Sequence, residues 1–78
     1  MSHVPNELAE LMPEQAEAIA AKKTGDAHFA KLAEAYHELN RAIHRAETDV
    51  EPTDDFNMQD MRRKRLALLD EIKGMLAD

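Results

Sequence analysis

Four histidines, at positions 3, 28, 37 and 44, and an unbroken run of cations from Arg62 to Arg65 are the residues whose types could carry chemistry in this chain. Histidine titrates near neutral pH and ligates metals, and a cation run can hold phosphate, so spacing decides what each can do. His37 and His44 stand seven apart and share a helix face, but the three- or four-residue step by which two histidines chelate one ion is missing. No carboxylate is placed to complete a tetrahedral set. His44 and Glu47 reverse the Glu-x-x-His order of di-metal helical bundles, and the partner carboxylates of such sites are absent. The histidines therefore read as surface side chains, and neither a metal nor another cofactor is expected. There is no glycine-rich phosphate loop, no nucleophile elbow and no paired serine and histidine. No catalytic residue is assigned, no small-molecule substrate is expected, and the chain reads as non-enzymatic.

The cation run lies in "MRRKRLALLDEI" at 61–72. On a helical wheel Arg62, Arg63 and Lys64 fan over more than half the circumference, so they form no single flat basic face. Asp70 and Glu71 follow within reach of neighbouring cations, and local pairing on a solvated surface is the first expectation. A second reading groups Arg41 and Arg45 with Arg62, Arg63 and Lys64 as a basic patch for nucleic acid or a ribosome. The whole-chain balance of 16 acidic to 10 basic residues, net charge -6, opposes binding by bulk charge.

The elements that must position these residues follow from composition and period. Good helix formers dominate, β-branched and aromatic residues are scarce, and no period-two alternation appears, so the chain is all-α. Residues 1–24 form an N-terminal segment, a short helix broken near Pro13, with Leu8, Leu11, Met12, Ala16 and Ile19 on one face. Gly25 is expected to stop it and Asp26 to cap the next helix. Residues 26–77 form an antiparallel two-helix, coiled-coil-like hairpin with its loop at 50–55. Phe29, Leu32, Tyr36, Leu39, Ile43, Ala46 and Val50 alternate three- and four-residue steps, which is a two-helix packing seam. Met61, Arg65, Leu68, Ile72 and Leu76 answer them if partners' numbers sum to about 105. Thr53, Asp54 or Asp55 caps the second arm.

Arg65 occupies a seam position where Leu or Ile is expected. An unpaired buried charge costs several kcal/mol, so its guanidinium either reaches solvent or bonds to Asn40, Glu47 or the Tyr36 hydroxyl. Leu66, Leu69 and Met75 widen the apolar stripe of the second arm beyond what one seam needs, and they are the candidate surface for a partner.

Length and composition frame the rest. Seventy-eight residues make one domain at most, and so short a chain buries only about 60% of its unfolded surface. A second chain or a helical protein partner is therefore expected, as a homodimeric bundle or a docked complex. The absence of cysteine removes disulfide and thiolate chemistry and fits the reducing cytoplasm. The first residues lack the pattern of a signal peptide, and no apolar run is long enough to span a membrane, so no membrane partner is expected.

"DAHFAKLAEAYHELNRAIHRAE" at 26–47 and "RRKRLALLDEIKGML" at 62–76 resemble the YdcH-like family of small bacterial proteins, a family of unknown function. The resemblance rests on the His28-Phe29 pair, Leu32, Tyr36, Leu39, Ile43 and Glu47, then Lys64, Arg65, Leu66, Leu68, Asp70, Glu71, Ile72 and Leu76. Asn40 stands where that family commonly has Asp, and Leu69 where it commonly has Lys. The resemblance implies an antiparallel helical hairpin and no assigned activity.

Overall fold

Asp26 is the residue at which two helices are parted. In the computed structural model, which describes residues 6–48 and 53–77, its backbone is extended (φ -134°, ψ 107°). Its Oδ1 accepts from the N–H groups of His28 and Phe29 at 3.0 and 3.1 Å. These donors belong to the set that a helix start leaves without intrahelical acceptors, so Asp26 caps α3 (Ala27–Glu47). Its own N–H donates to Lys22 O at 2.8 Å and closes the preceding helix, α2 (Ala16–Gly25). Gly25, expected to lie beyond the helix as its stop, is instead the last helical residue and has no positive φ. One extended residue makes the break, because its side chain supplies the acceptors that α3 lacks.

The segment before α2 is made of α1 (Leu8–Leu11) and a 3₁₀ turn (Pro13–Gln15). Pro13 opens that turn, where its missing N–H costs nothing. The last helix, α4 (Asp55–Ala77), is capped by Asp54, whose Oδ1 accepts from the Asn57 N–H at 2.7 Å. Val50 and positions 50–52 of the expected loop lie outside the described residues. Every element among the described residues is helical. None of these helices is long and apolar enough to cross a membrane.

Packing centres on α3. Phe29, Ala33 and Tyr36 form one buried cluster with Leu8, Met12 and Ile19 of the N-terminal segment and Ile72 of α4. Leu32, Leu68, Leu69, Met75 and Leu76 pack around it, half-buried. Leu11 and Ala16, expected on the buried face with Leu8 and Ile19, are exposed. The tighter 3₁₀ turn between α1 and α2 breaks the phase that a continuous helical wheel assumes, so the two short helices do not share one face. Along α3 and α4, Asn40 meets Arg65 and Glu47 meets Arg62, so rising numbers on one helix match falling numbers on the other. The long dimension of the molecule, 37 Å, is close to the length that 23 residues of α4 require at about 1.5 Å each.

The cap is a direct test of this layout. Asp26→Ala removes both side-chain hydrogen bonds and should cost about 1 kcal/mol. In a domain of this size that is a fall of roughly 4–8 °C in the thermal midpoint followed by circular dichroism. An unchanged midpoint would mean that the break between α2 and α3 is held by packing alone.

Candidate functional site

Tyr36 is buried, and a buried hydroxyl needs an acceptor. It finds one in the N-terminal segment, donating to Asn6 O at 2.6 Å. Asn6 has φ 64°, in the left-handed region that asparagine tolerates better than most residues, and this turns its carbonyl toward α3. The next residue on α3, His37, sets Nδ1 3.1 Å from the Glu7 carboxylate. Two consecutive residues of α3 thus hold two consecutive residues of the segment. Burial pushes the Tyr36 phenol above its ordinary pKa of 10.0; the Arg65 charge pulls it back in part, and that of Glu7 raises it further. None of this was read from the sequence, because a hydrogen bond to a backbone carbonyl thirty positions away leaves no trace in side-chain spacing.

Arg65 is half-buried, and its head bonds across the seam. Nη1 donates to Asn40 Oδ1 at 2.9 Å, and Asn40 is 1% exposed, which makes the pair a polar contact inside the α3–α4 seam. Of the other two acceptors weighed, Glu47 takes Arg62 at 2.9 Å and the Tyr36 hydroxyl points to Asn6. Among the described residues no buried side-chain nitrogen or oxygen lacks a partner. The remaining seam residues are buried (Phe29, Tyr36, Ile43, Ile72) or half-buried (Leu32, Leu39, Met61, Leu68, Leu76).

The candidate basic residues fall in the second half of α3 and the first half of α4, with Arg41, Arg62, Arg63 and Lys64 exposed and Arg45 half-buried. Much of its charge is already matched. Arg62 rests on Glu47, and Lys64 Nζ lies 3.1 Å from Asp60 Oδ2 one turn earlier. The acids serving these cations are thus Glu47 and Asp60, rather than the expected Asp70 and Glu71. A phosphate backbone would have to compete with both. Among the described residues no cluster of three or more His, Asp or Glu side chains is arranged to hold a metal ion.

The candidate partner surface divides. Leu69 and Met75 are half-buried against the core cluster, as Leu68 is, and so belong in part to the monomer's own core. Leu66 remains 58% exposed at the edge of a small pocket of about 240 Å³ that Leu11, Tyr36 and Leu69 also line. The larger opening lies elsewhere between α3 and α4. It is a shallow groove of about 460 Å³ lined by Ala35 and Leu39 of α3 and by Lys64, Ala67, Leu68 and Glu71 of α4. Ala35 and Ala67 were not singled out from the sequence, since an alanine in a helix is ordinary; their signal is only that each neighbours a seam leucine, Ala35 one turn from Leu39 and Ala67 next to Leu68.

The two polar contacts yield separate expectations. A folded-state pKa above the unfolded value means the native state holds the phenolic proton more tightly, so this stabilisation is complete at neutral pH and is lost as pH rises through the folded pKa, above 10. Tyr36 is the only tyrosine, so tyrosinate absorbance reports it alone. Its titration should lie above that of the urea-unfolded chain, and Tyr36→Phe should cost about 1 kcal/mol at neutral pH while flattening the alkaline loss. For the seam pair, Asn40→Leu alone strands a guanidinium and should lose about 1–3 kcal/mol in urea unfolding. Asn40→Leu with Arg65→Leu should return to wild-type stability or above it, at the expense of a single register. A harmless Asn40→Leu would remove the pair from the seam's energetics.

No curated protein and no solved structure matches the chain. A family model described as "Protein of unknown function (DUF465)" matches residues 29–76. That match opens on Phe29, the first buried residue of α3, ends on Leu76 in the last turn of α4, and takes in the Asn40–Arg65 pair and every residue lining the larger groove. The chain therefore belongs to the DUF465 family, whose function is unknown.

Proposed function

We propose that this protein is a non-enzymatic interaction module of the cytoplasm, a YdcH-like antiparallel helical hairpin that docks helical protein surface, its own or another chain's, on the open groove between α3 and α4. The observation that carries this reading is the groove itself. Its floor is Ala35, Leu39, Ala67 and Leu68, and its rim is one cation and one anion, Lys64 and Glu71. Small side chains let a second helix approach closely, flanking leucines supply apolar area, and a rim of both charges suits a mixed protein surface better than polyphosphate. Leu69 and Met75 are already half-buried against the core cluster, so the groove is the larger opening left between the long helices. The weaker reading, nucleic-acid binding through Arg41, Arg45, Arg62, Arg63 and Lys64, is opposed by the net charge of -6 and by the pairing of Arg62 and Lys64 with Glu47 and Asp60.

A photo-reactive amino acid in place of Leu39 tests the reading in living cells. Illumination should yield a covalent adduct to polypeptide that survives nuclease and high salt, whereas the same group at Glu14, exposed on the 3₁₀ turn, should yield none. Adducts that nuclease digests would transfer the argument to nucleic acid. No adduct at Leu39 would overturn the docking reading.

A further inference from the structure

Across the middle of α4, between Asp60 and Lys73, the cations Arg62, Arg63, Lys64 and Arg65 precede the anions Asp70 and Glu71. At the groove this order leaves Lys64 on one side of Ala67 and Leu68 and Glu71 on the other, two turns apart on the same face and equidistant from the midpoint of the Ala67–Leu68 step. A second copy of α4 laid antiparallel across that midpoint would set Lys64 against Glu71 and Glu71 against Lys64. A parallel copy would stack like charges instead. The α3 wall centres at the same level. The Asn40–Arg65 bond places Glu38 level with Ala67 and His37 level with Leu68, and Ala35 and Leu39 flank His37 evenly. Three pairs therefore share one centre to within half a residue: Lys64 with Glu71, Ala67 with Leu68, and Ala35 with Leu39.

An interface that is its own complement under a half-turn is what a two-fold dimer requires, because residue i must meet j while j meets i. From this charge complementarity we infer that the occupant of the groove is a second copy of this chain, related to the first by a two-fold axis crossing α4 between Ala67 and Leu68. The inference rests on the docking reading above and names its partner. Lys64 is 66% exposed on its side chain and is held along α4 by Asp60 at 3.1 Å, so it can bridge Asp60 and the partner's carboxylate without crossing the apolar floor. Ala67 at the axis and Gly74 two turns on, where an added Cβ would meet nothing within 4 Å, leave room for close approach. The dimer covers Leu39 and Leu68 and enlarges a core that a chain of 78 residues can build only thinly on its own.

The test is the solution mass of the full chain across a concentration series by sedimentation, for wild type, Lys64→Glu, Glu71→Lys and the two combined. Both positions are exposed, so circular dichroism should find every variant folded. Wild type should be dimeric. Each single reversal creates two like-charge contacts per dimer and should weaken association by about tenfold or more, and the combined swap should restore it. A wild type that stays monomeric throughout, a dimer indifferent to the single reversals, or a combined variant no better than the singles would each overturn the second copy as occupant. The adduct at Leu39 separates the two levels: a monomer that still cross-links to a different polypeptide keeps the docking reading and removes only the dimer, while a monomer that cross-links to nothing removes both.

Discussion

The hydroxyl of Tyr36 is the constraint on which the fold turns. α3 buries Phe29, Ala33, Tyr36, Asn40, Ile43 and Ala46, an arc of about 140° at ~100° per residue, and one partner helix cannot cover so wide a face. α4 takes one side of the arc. On the other side a phenol lies in an apolar cluster, and leaving its O–H without an acceptor would cost about 1–3 kcal/mol. The N-terminal segment answers both needs, bringing Leu8, Met12 and Ile19 over Ala33 and Tyr36 and ending on a carbonyl at Asn6 turned to accept the hydroxyl. The left-handed backbone at Asn6 and the Glu7–His37 contact follow from that requirement, since only a sharp reversal there points the carbonyl inward.

The second constraint is the arginine in the seam. A hydrophobic residue at position 65 would pack against α3 at several registers, whereas a guanidinium accepts only the one that brings an acceptor within hydrogen-bond distance. Asn40 Oδ1 at 2.9 Å meets that condition and is itself buried, so sliding either helix by a turn would strand two polar groups at once. Register held in this way is also what lines up the two walls of the groove. Ala35 and Leu39 sit opposite Ala67 and Leu68 because Asn40 sits opposite Arg65. The polar pair adds little to net stability, but it determines which surface the two helices present together.

The two sides of the long helices have unlike surroundings, and this difference gives the molecule a direction. One side is closed by the N-terminal segment; the other keeps a groove with a small-residue floor and a rim of opposite charges. The family match spans 29–76, so the groove lies wholly within what the chain shares with its family, while α1, the 3₁₀ turn and α2 lie before it. The segment completes the monomer's core, and the shared pair of helices carries the surface left for another molecule.

How much of this was legible in the sequence depends on how local the cause is. The helical class, the spans of α3 and α4, the proline at the start of the 3₁₀ turn and the cap at Asp26 arise from propensity and from hydrogen bonds within three or four residues, and the sequence determined them unaided, while it narrowed the cap of α4 to Thr53, Asp54 or Asp55, of which the structure uses Asp54. The alternating three- and four-residue seam did the same for Phe29, Tyr36, Ile43 and Ile72, because helical period alone decides which residues share a face. Three matters were settled only by tertiary structure. Asn40, Glu47 and Tyr36 were all in reach of Arg65 by numbering, and the separation of the two helices chose among them. Leu69 and Met75 belonged to the same stripe as Leu66, but packing against the core cluster half-buried the first two and left the third exposed. The groove needed two alanines on different helices within a turn of one another across the seam, a coincidence set by register, which no pattern along a single helix records.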